Sequence, residues 1–171
     1  MFIDETGFDA VETRRYGWSK RGHKLYDECS GKRGVRENLV AARRKKEKDL
    51  LAPMIFSGSL NAEGFEGWLE YYLLPKLTKT SILIMDNAPI HRKRRIKELV
   101  GEKGQKVVFL PKYSPDLNDI EHDFSALKRN RMYAAPGTII DEIIREYCIP
   151  ACRTPNSVSY THLTLPTILR V

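Results

Sequence analysis

Residues 82–85, Ile-Leu-Ile-Met, are uninterruptedly apolar and run straight into Asp86, with the four cations Arg92, Lys93, Arg94 and Arg95 close behind. An apolar run of this length between polar neighbours predicts a strand covered on both faces, central in a sheet. The period then changes along the chain. Phe65, Trp68, Leu69, Tyr72 and Leu73 recur at helical spacing, which predicts a helix with one buried face, Asn61 as its N-cap and Pro75 beyond its end. Ile96, Leu99 and Val100 predict a short second helix closed by Gly101 or Gly104. Ile120, Phe124 and Leu127 predict a third with Asn118 as N-cap, and Ile139, Ile140, Ile143, Ile144 and Tyr147 a last one over about 138–148. Strands are expected in a first segment ending at Asp4, in "ENLVAAR" and "LLAPMIFSG" joined by the hairpin tip "RRKKEKD", and in "KVVFLP". Residues 14–28 read as a turn-rich extended segment. Strand hairpins followed by alternating helices and strands predict an α/β fold, a mixed sheet flanked by helices.

With 171 residues, one domain is expected over residues 1–150, with a disordered tail over 151–171. No apolar run approaches the roughly 20 residues of a bilayer span, and no export signal is visible. A net charge of +7 favours polyanionic partners. Cys29, Cys148 and Cys152 are an odd set without an export signal, so reduced thiols are expected. The i, i+4 pair Cys148 and Cys152 lacks the further Cys or His ligands of a zinc site.

Three acids fall where chemistry can use them: Asp4 at a strand end, Asp86 at the end of a central strand, and Glu121 in the first turn of a helix. Each has an ordinary reading as well. Asp4 can open a turn, Asp86 can form an Asx-turn with Asn87, and Glu121 can complete a capping box with Asn118. Brought together, three carboxylates would repel by about 4 kcal/mol per pair at 4 Å and an effective dielectric near 20. A divalent cation offsets that repulsion, and an all-oxygen ligand set suits Mg²⁺ or Mn²⁺. Two such ions can activate an attacking oxygen and stabilise a leaving one in phosphodiester chemistry.

The segments "FIDETGF", "YGW", "LLAPMIFSGSLNAEGFEGWLE", "LIMDNAPIH" and "FLPKYSPDLNDIEHDFSALK" occur in one order, with 34 residues between Asp86 and Glu121. In this the sequence resembles the catalytic domain of DDE transposases of the mariner superfamily, in particular their bacterial insertion-sequence branch. The resemblance runs from Met1 to about Lys128, more loosely to about 150. It implies a ribonuclease-H-like fold in which Asp4, Asp86 and Glu121 bind two Mg²⁺ or Mn²⁺ ions. It also implies cut-and-paste transposition: hydrolysis at the element end, then attack of the freed 3′-hydroxyl on target DNA, usually at TA. Element ends and target DNA would be the partners, the full-length protein a homodimer, and the setting the bacterial cytoplasm and nucleoid. Two departures from the family pattern stand near the third acid, where Asp119 replaces a common proline and Phe124 a frequent Trp. The helix-turn-helix segments that precede the first catalytic Asp in family members have only three residues in their place, so an N-terminal truncation is expected.

Candidate DNA contacts are Arg92, Lys93, Arg94, Arg95, Lys112 and Lys128, with the basic groups Lys20, Arg21, Lys24, Lys32, Arg33 and Arg36 as plausible backbone contacts. Asn87, Asp116 and Asn118 are expected to support the acids from behind. His91 is assigned to local hydrogen bonding in its loop, and His122 is expected to point away from the site. Trp18 and Trp68 read as packing residues. Two rival readings are an inactive remnant that binds nucleic acid without cutting and a nuclease acting on RNA–DNA hybrids. Residues 158–171 are expected to be adapter-derived, since back-translation of "VSYTHLTLPT" can reproduce the mosaic-end adapter of transposon-based sequencing libraries.

Overall fold

Alternation along the first strand sets the layers. The computed structural model describes residues 1–9, 19–24, 26, 36–45, 47, 49–111, 114–135 and 137–148. In β1 (Phe2–Phe8), Phe2 and Phe8 face one side of the sheet and Ile3 the other, and both sides are covered. Four further strands complete a five-stranded sheet: β2 (Glu37–Arg43), β3 (Leu50–Ser57), β4 (Ile82–Met85) and β5 (Lys106–Phe109), in the order β3-β2-β1-β4-β5. Neighbours are antiparallel from β1 through β3 and parallel from β1 through β5. This is the mixed sheet that the sequence predicted, with the apolar β4 in its interior.

On the Ile3 side lie α1 (Ala62–Trp68), its continuation through a π-helical turn (Leu69–Leu73) and a 3-10 turn (Leu74–Lys76), and α2 (Lys93–Glu102). Asn61 caps α1 as expected, its side chain accepting the Gly64 N–H at 2.8 Å. Pro75 lies inside the 3-10 turn rather than beyond the helix. Trp68 is a packing residue as expected, and its Nε1–H reaches back to the Ala52 carbonyl at 2.8 Å. Ala52 sits at φ 49, where the β2–β3 register shifts. On the other side pack α3 (Ile120–Tyr133) and α4 (Ile140–Cys148).

Several expectations need correction. Asp4 does not end β1, which continues to Phe8 because β2 pairs with it as far as Phe8↔Glu37. Gly101 lies within α2, and the helix is closed by Gly104, at φ +67, whose N–H reaches the Gly101 carbonyl. Asn118 does not cap α3; Asp119 holds the cap position in helical conformation without a side-chain bond. Ile139 precedes α4 and is 57% exposed. Most of the 14–28 segment, Trp18, Cys29, Lys32, Arg33, Lys112, Cys152 and all of 158–171 fall outside the described residues.

The uneven length of β1 and β4 prepares the site. Parallel pairing between them stops at Ile3↔Met85, while β1 runs on beside β2. The sheet is therefore notched at the end of β4, with Asp4 and Asp86 as the first positions past the paired ones. Pro89, lacking an N–H, follows in the loop and could not extend a central ladder.

Candidate active site

Neighbouring strands lie about 4.8 Å apart, so Asp4 and Asp86 start side by side at the notch. Strand alternation gives both the parity of Phe2 and Ile84, which pack toward α3 and α4. Glu121 arrives from that side, exposed in the first turn of α3. The loop before it is held close: Asn118 is 3% exposed and donates from Nδ2 to Asp4 Oδ2 at 3.0 Å, while its carbonyl accepts the Glu121 N–H at 3.0 Å. The other Asp4 oxygen, Oδ1, accepts the Glu5 N–H at 2.8 Å.

Burial pushes the Asp4 carboxyl up to about 7, and the charges of Asp86, Glu121 and Glu5 add to the rise against the opposing Glu5 N–H bond. Asp86 moves the other way. The His91 hydrogen bond, assisted by His91 charge and the Ala88 N–H, holds it below the usual carboxylate range despite burial. Among the described residues, no group of three Asp, Glu, His or Cys side chains is gathered closely enough to hold a metal ion.

Two residues beside the acids carry more than sequence reasoning gave them. His91 is 8% exposed, with Nε2 2.9 Å from Asp86 Oδ1 and its ring 4.3 Å from that of Phe65. Glu5 has the opposite strand parity from Asp4. Its carboxyl is raised by burial and by Asp86, against His91, and its Oε1 is buried without a hydrogen-bond partner among the described residues. Glu5 lines a cleft of about 530 Å³ together with Arg36, Asn38, Phe56, Leu60 and Ile90. The signals available in the sequence were adjacency to Asp4 for Glu5 and a five-residue step from Asp86 for His91.

Several of the basic residues are engaged by acids, Arg36 by Asp9 at 4.0 Å among them. Arg92 makes a two-pronged contact with Glu66 of α1, at 2.7 and 2.9 Å. Arg94 and Arg95 share Glu98 at 3.2 and 3.8 Å on the outer face of α2, and Lys93 Nζ stands 5.6 Å from the Phe109 ring centre. Lys128 is half-buried on α3; Lys20, Arg21, Lys24 and Arg36 are exposed. Asn87 is half-buried in the loop after Asp86, and Asp116 is exposed in a 3-10 turn (Pro115–Leu117).

Behind Glu121, the first turn of α3 is tied down. Arg43, at the end of β2, meets Asp123 Oδ2 at 2.7 Å and donates to the Asp119 carbonyl at 3.1 Å. The contact with Oδ2 is too bent for an aligned hydrogen bond and acts by charge. Tyr147 of α4 donates its hydroxyl to Asp123 Oδ1, and burial followed by that bond pushes the phenol well above its usual range.

No curated protein sequence matches the chain. A Mos1 transposase paired-end complex with the left transposon end has 17% identity and a TM-score of 0.66, covering 85% of this chain and 46% of that one. A Mos1 mariner paired-end complex with Mn has 18% identity and a TM-score of 0.66 over the same shares of each chain. A Mos1 strand transfer complex has 16% identity and a TM-score of 0.60, covering 85% and 49%. The chain thus spans about half the length of these proteins, and the likeness shows a shared ribonuclease-H-like α/β fold. The family model for the DDE superfamily endonuclease matches residues 1–142. This chain belongs to the DDE superfamily endonuclease family.

Proposed function

We propose that the chain is the catalytic domain of a transposase, cleaving DNA strands with the help of a divalent cation and joining the freed ends to target DNA. One observation supports the reading: Asp4 and Asp86 are the first positions past the paired residues of the neighbouring parallel strands β1 and β4, and Asn118, three residues before Glu121, donates to Asp4 Oδ2. The donor set fits a hard cation. It is oxygen only, its mutual repulsion calls for positive charge, and Asn118 Oδ1 adds a buried acceptor without a partner among the described residues. Asp4, Asp86 and Glu121 would hold Mg²⁺ or Mn²⁺, two ions in all, and the bound metal would supply activation of the attacking oxygen and stabilisation of the leaving one.

The chain's own residues do the positioning. The sheet sets Asp4 and Asp86, and the Arg43–Asp123 tie sets the turn that bears Glu121. Lys93, Arg94, Arg95 and Lys128 would meet phosphates on this reading, Arg94 and Arg95 after leaving Glu98 and Arg92 after leaving Glu66. Asn118 supports Asp4 directly; Asn87, next to Asp86, and Asp116 would support the acids on this reading. The Mos1 complexes with transposon ends, Mn and Mg support DNA and a divalent cation as partners. On this reading the full-length protein works as a homodimer on paired element ends in the bacterial cytoplasm, and residues 1–150 are its catalytic unit.

The test is DNA cleavage by the purified chain with Mg²⁺ or Mn²⁺, compared with a chelator control and with Asp86→Asn. Metal-dependent nicking that disappears in the variant is expected. Equal nicking by wild type and Asp86→Asn, or preferential degradation of RNA–DNA hybrids, would overturn the reading.

A further inference from the structure

We infer that His91 is a positioning residue that locks the Asp86 carboxylate in the orientation a divalent cation requires. The inference rests on the transposase reading and adds a residue to its machinery.

Geometry carries it. Asp86 lies just past the end of β4, its side chain 49% exposed, so a bare carboxylate there would rotate. His91 prevents this from a ring that cannot itself move. The imidazole is buried, tilted at 47° against Phe65, which is 1% exposed in the core of α1. Its Nε2 stands 2.9 Å from Asp86 Oδ1. The backbone closes the same loop, the His91 N–H reaching the Ala88 carbonyl at 3.1 Å and the Ala88 N–H reaching Asp86 Oδ1 at 3.3 Å. Both bonds to Asp86 fall on Oδ1, which leaves Oδ2 to a cation.

The protons follow from the partners. An ionised carboxylate only accepts, so Nε2 carries a hydrogen. His91 Nδ1 is buried without a partner among the described residues, so Nε2 is the ring atom that bonds. That arrangement argues against a proton-shuttling role: one nitrogen is engaged by Asp86 and the other faces the interior. Metal-supporting partners of this kind typically change metal affinity 10–100-fold when removed.

The experiment compares wild type, His91→Gln, which keeps an N–H donor near the Nε2 position, and His91→Leu, which keeps only the packing on Phe65. Mn²⁺ binding is measured calorimetrically without DNA, and the imidazole nitrogens are observed by NMR in metal-free protein. The expected results are a proton on Nε2, Mn²⁺ affinity about tenfold weaker or worse in His91→Leu, and recovery of most of that loss in His91→Gln. Wild-type affinity in His91→Leu, a glutamine variant no better than the leucine one, or an Nε2 without its hydrogen would each overturn the proposal. Should His91→Leu fail to fold, near-wild-type Mn²⁺ binding by His91→Gln with Nε2 protonated supports it and any other pairing refutes it. Asp86→Asn separates the two levels: unchanged Mn²⁺ affinity there would sink the metal-site reading itself, whatever His91 does.

Discussion

Asp123→Ala is expected to destabilise the fold severely, although the ion pair it breaks is worth little on balance. At 2.7 Å, Arg43 and Asp123 attract by about 6 kcal/mol at an effective dielectric of 20. Removing both charges from water costs several kcal/mol per ion, so attraction and desolvation nearly cancel. Deleting Asp123 alone upsets that balance. Arg43, with a side chain only 17% exposed, would keep its charge beneath the start of α3 without a counter-ion, and Tyr147 would lose its acceptor. The expected loss is about 3–5 kcal/mol, a large share of the roughly 5–15 kcal/mol that holds a domain together. Arg43→Met with Asp123→Leu removes both charges and should cost much less than the single change. Urea unfolding, followed through the fluorescence of buried Trp68, measures each variant. A single-variant loss under about 1 kcal/mol, or a double variant as unstable as the single one, would refute this account of a buried charge left unpaired.

Other expectations test other parts of the molecule. In metal-free buffer, stability should be fullest below pH 4 as far as Asp4 is concerned and fall as pH rises to about 7, because the folded chain holds that proton longer than the unfolded one. The shift corresponds to about 4 kcal/mol, which Asp4→Asn should largely abolish in urea titrations across that range; an unchanged pH slope would contradict it. Trp68→Phe leaves the Ala52 carbonyl without its donor and should cost about 1–3 kcal/mol, read from the same unfolding curves by circular dichroism. Burial raises the Cys148 thiol, so in a chain with Cys29 and Cys152 replaced by Ser it should alkylate more slowly at pH 8 than a peptide thiol and accelerate above pH 9.

Local patterns made the sheet and its helices readable, while pairings across long separations stayed hidden. The strands "ENLVAAR" and "LLAPMIFS" and the Asn61 cap were legible because alternation, apolar period and cap chemistry all lie within a few residues. The reach of β1 was not, since Glu5, Thr6 and Gly7 interrupt its apolar pattern and are strand only because β2 pairs with them. Asn118 shows the limit plainly. Three residues before Glu121, it has the spacing of a capping box, yet its side chain serves Asp4, 114 positions away. Arg92 was equally opaque: it reads as a free cation beside Asp86, but Glu66, 26 positions earlier, engages it.

The three acids are each held by a different physical device, and this bears on how such a centre can exist at all. Carboxylates that must share a cation repel one another whenever the cation is absent, so their supports must resist that force. Asp4 is held by a ladder, in a strand with neighbours on both sides and with Asn118 against its carboxylate. Asp86 lies beyond the ladder and depends on the imidazole of His91. Glu121 stands on a helix whose first turn is pinned to β2 by Arg43 and to α4 by Tyr147. Asn118 links two of these supports, its side chain donating to Asp4 while its carbonyl accepts the Glu121 N–H. Burial first, and then the charges of Asp86 and Glu121, push the Asp4 carboxyl up to about 7. A bound cation that offset both would couple metal binding to the stability of the fold.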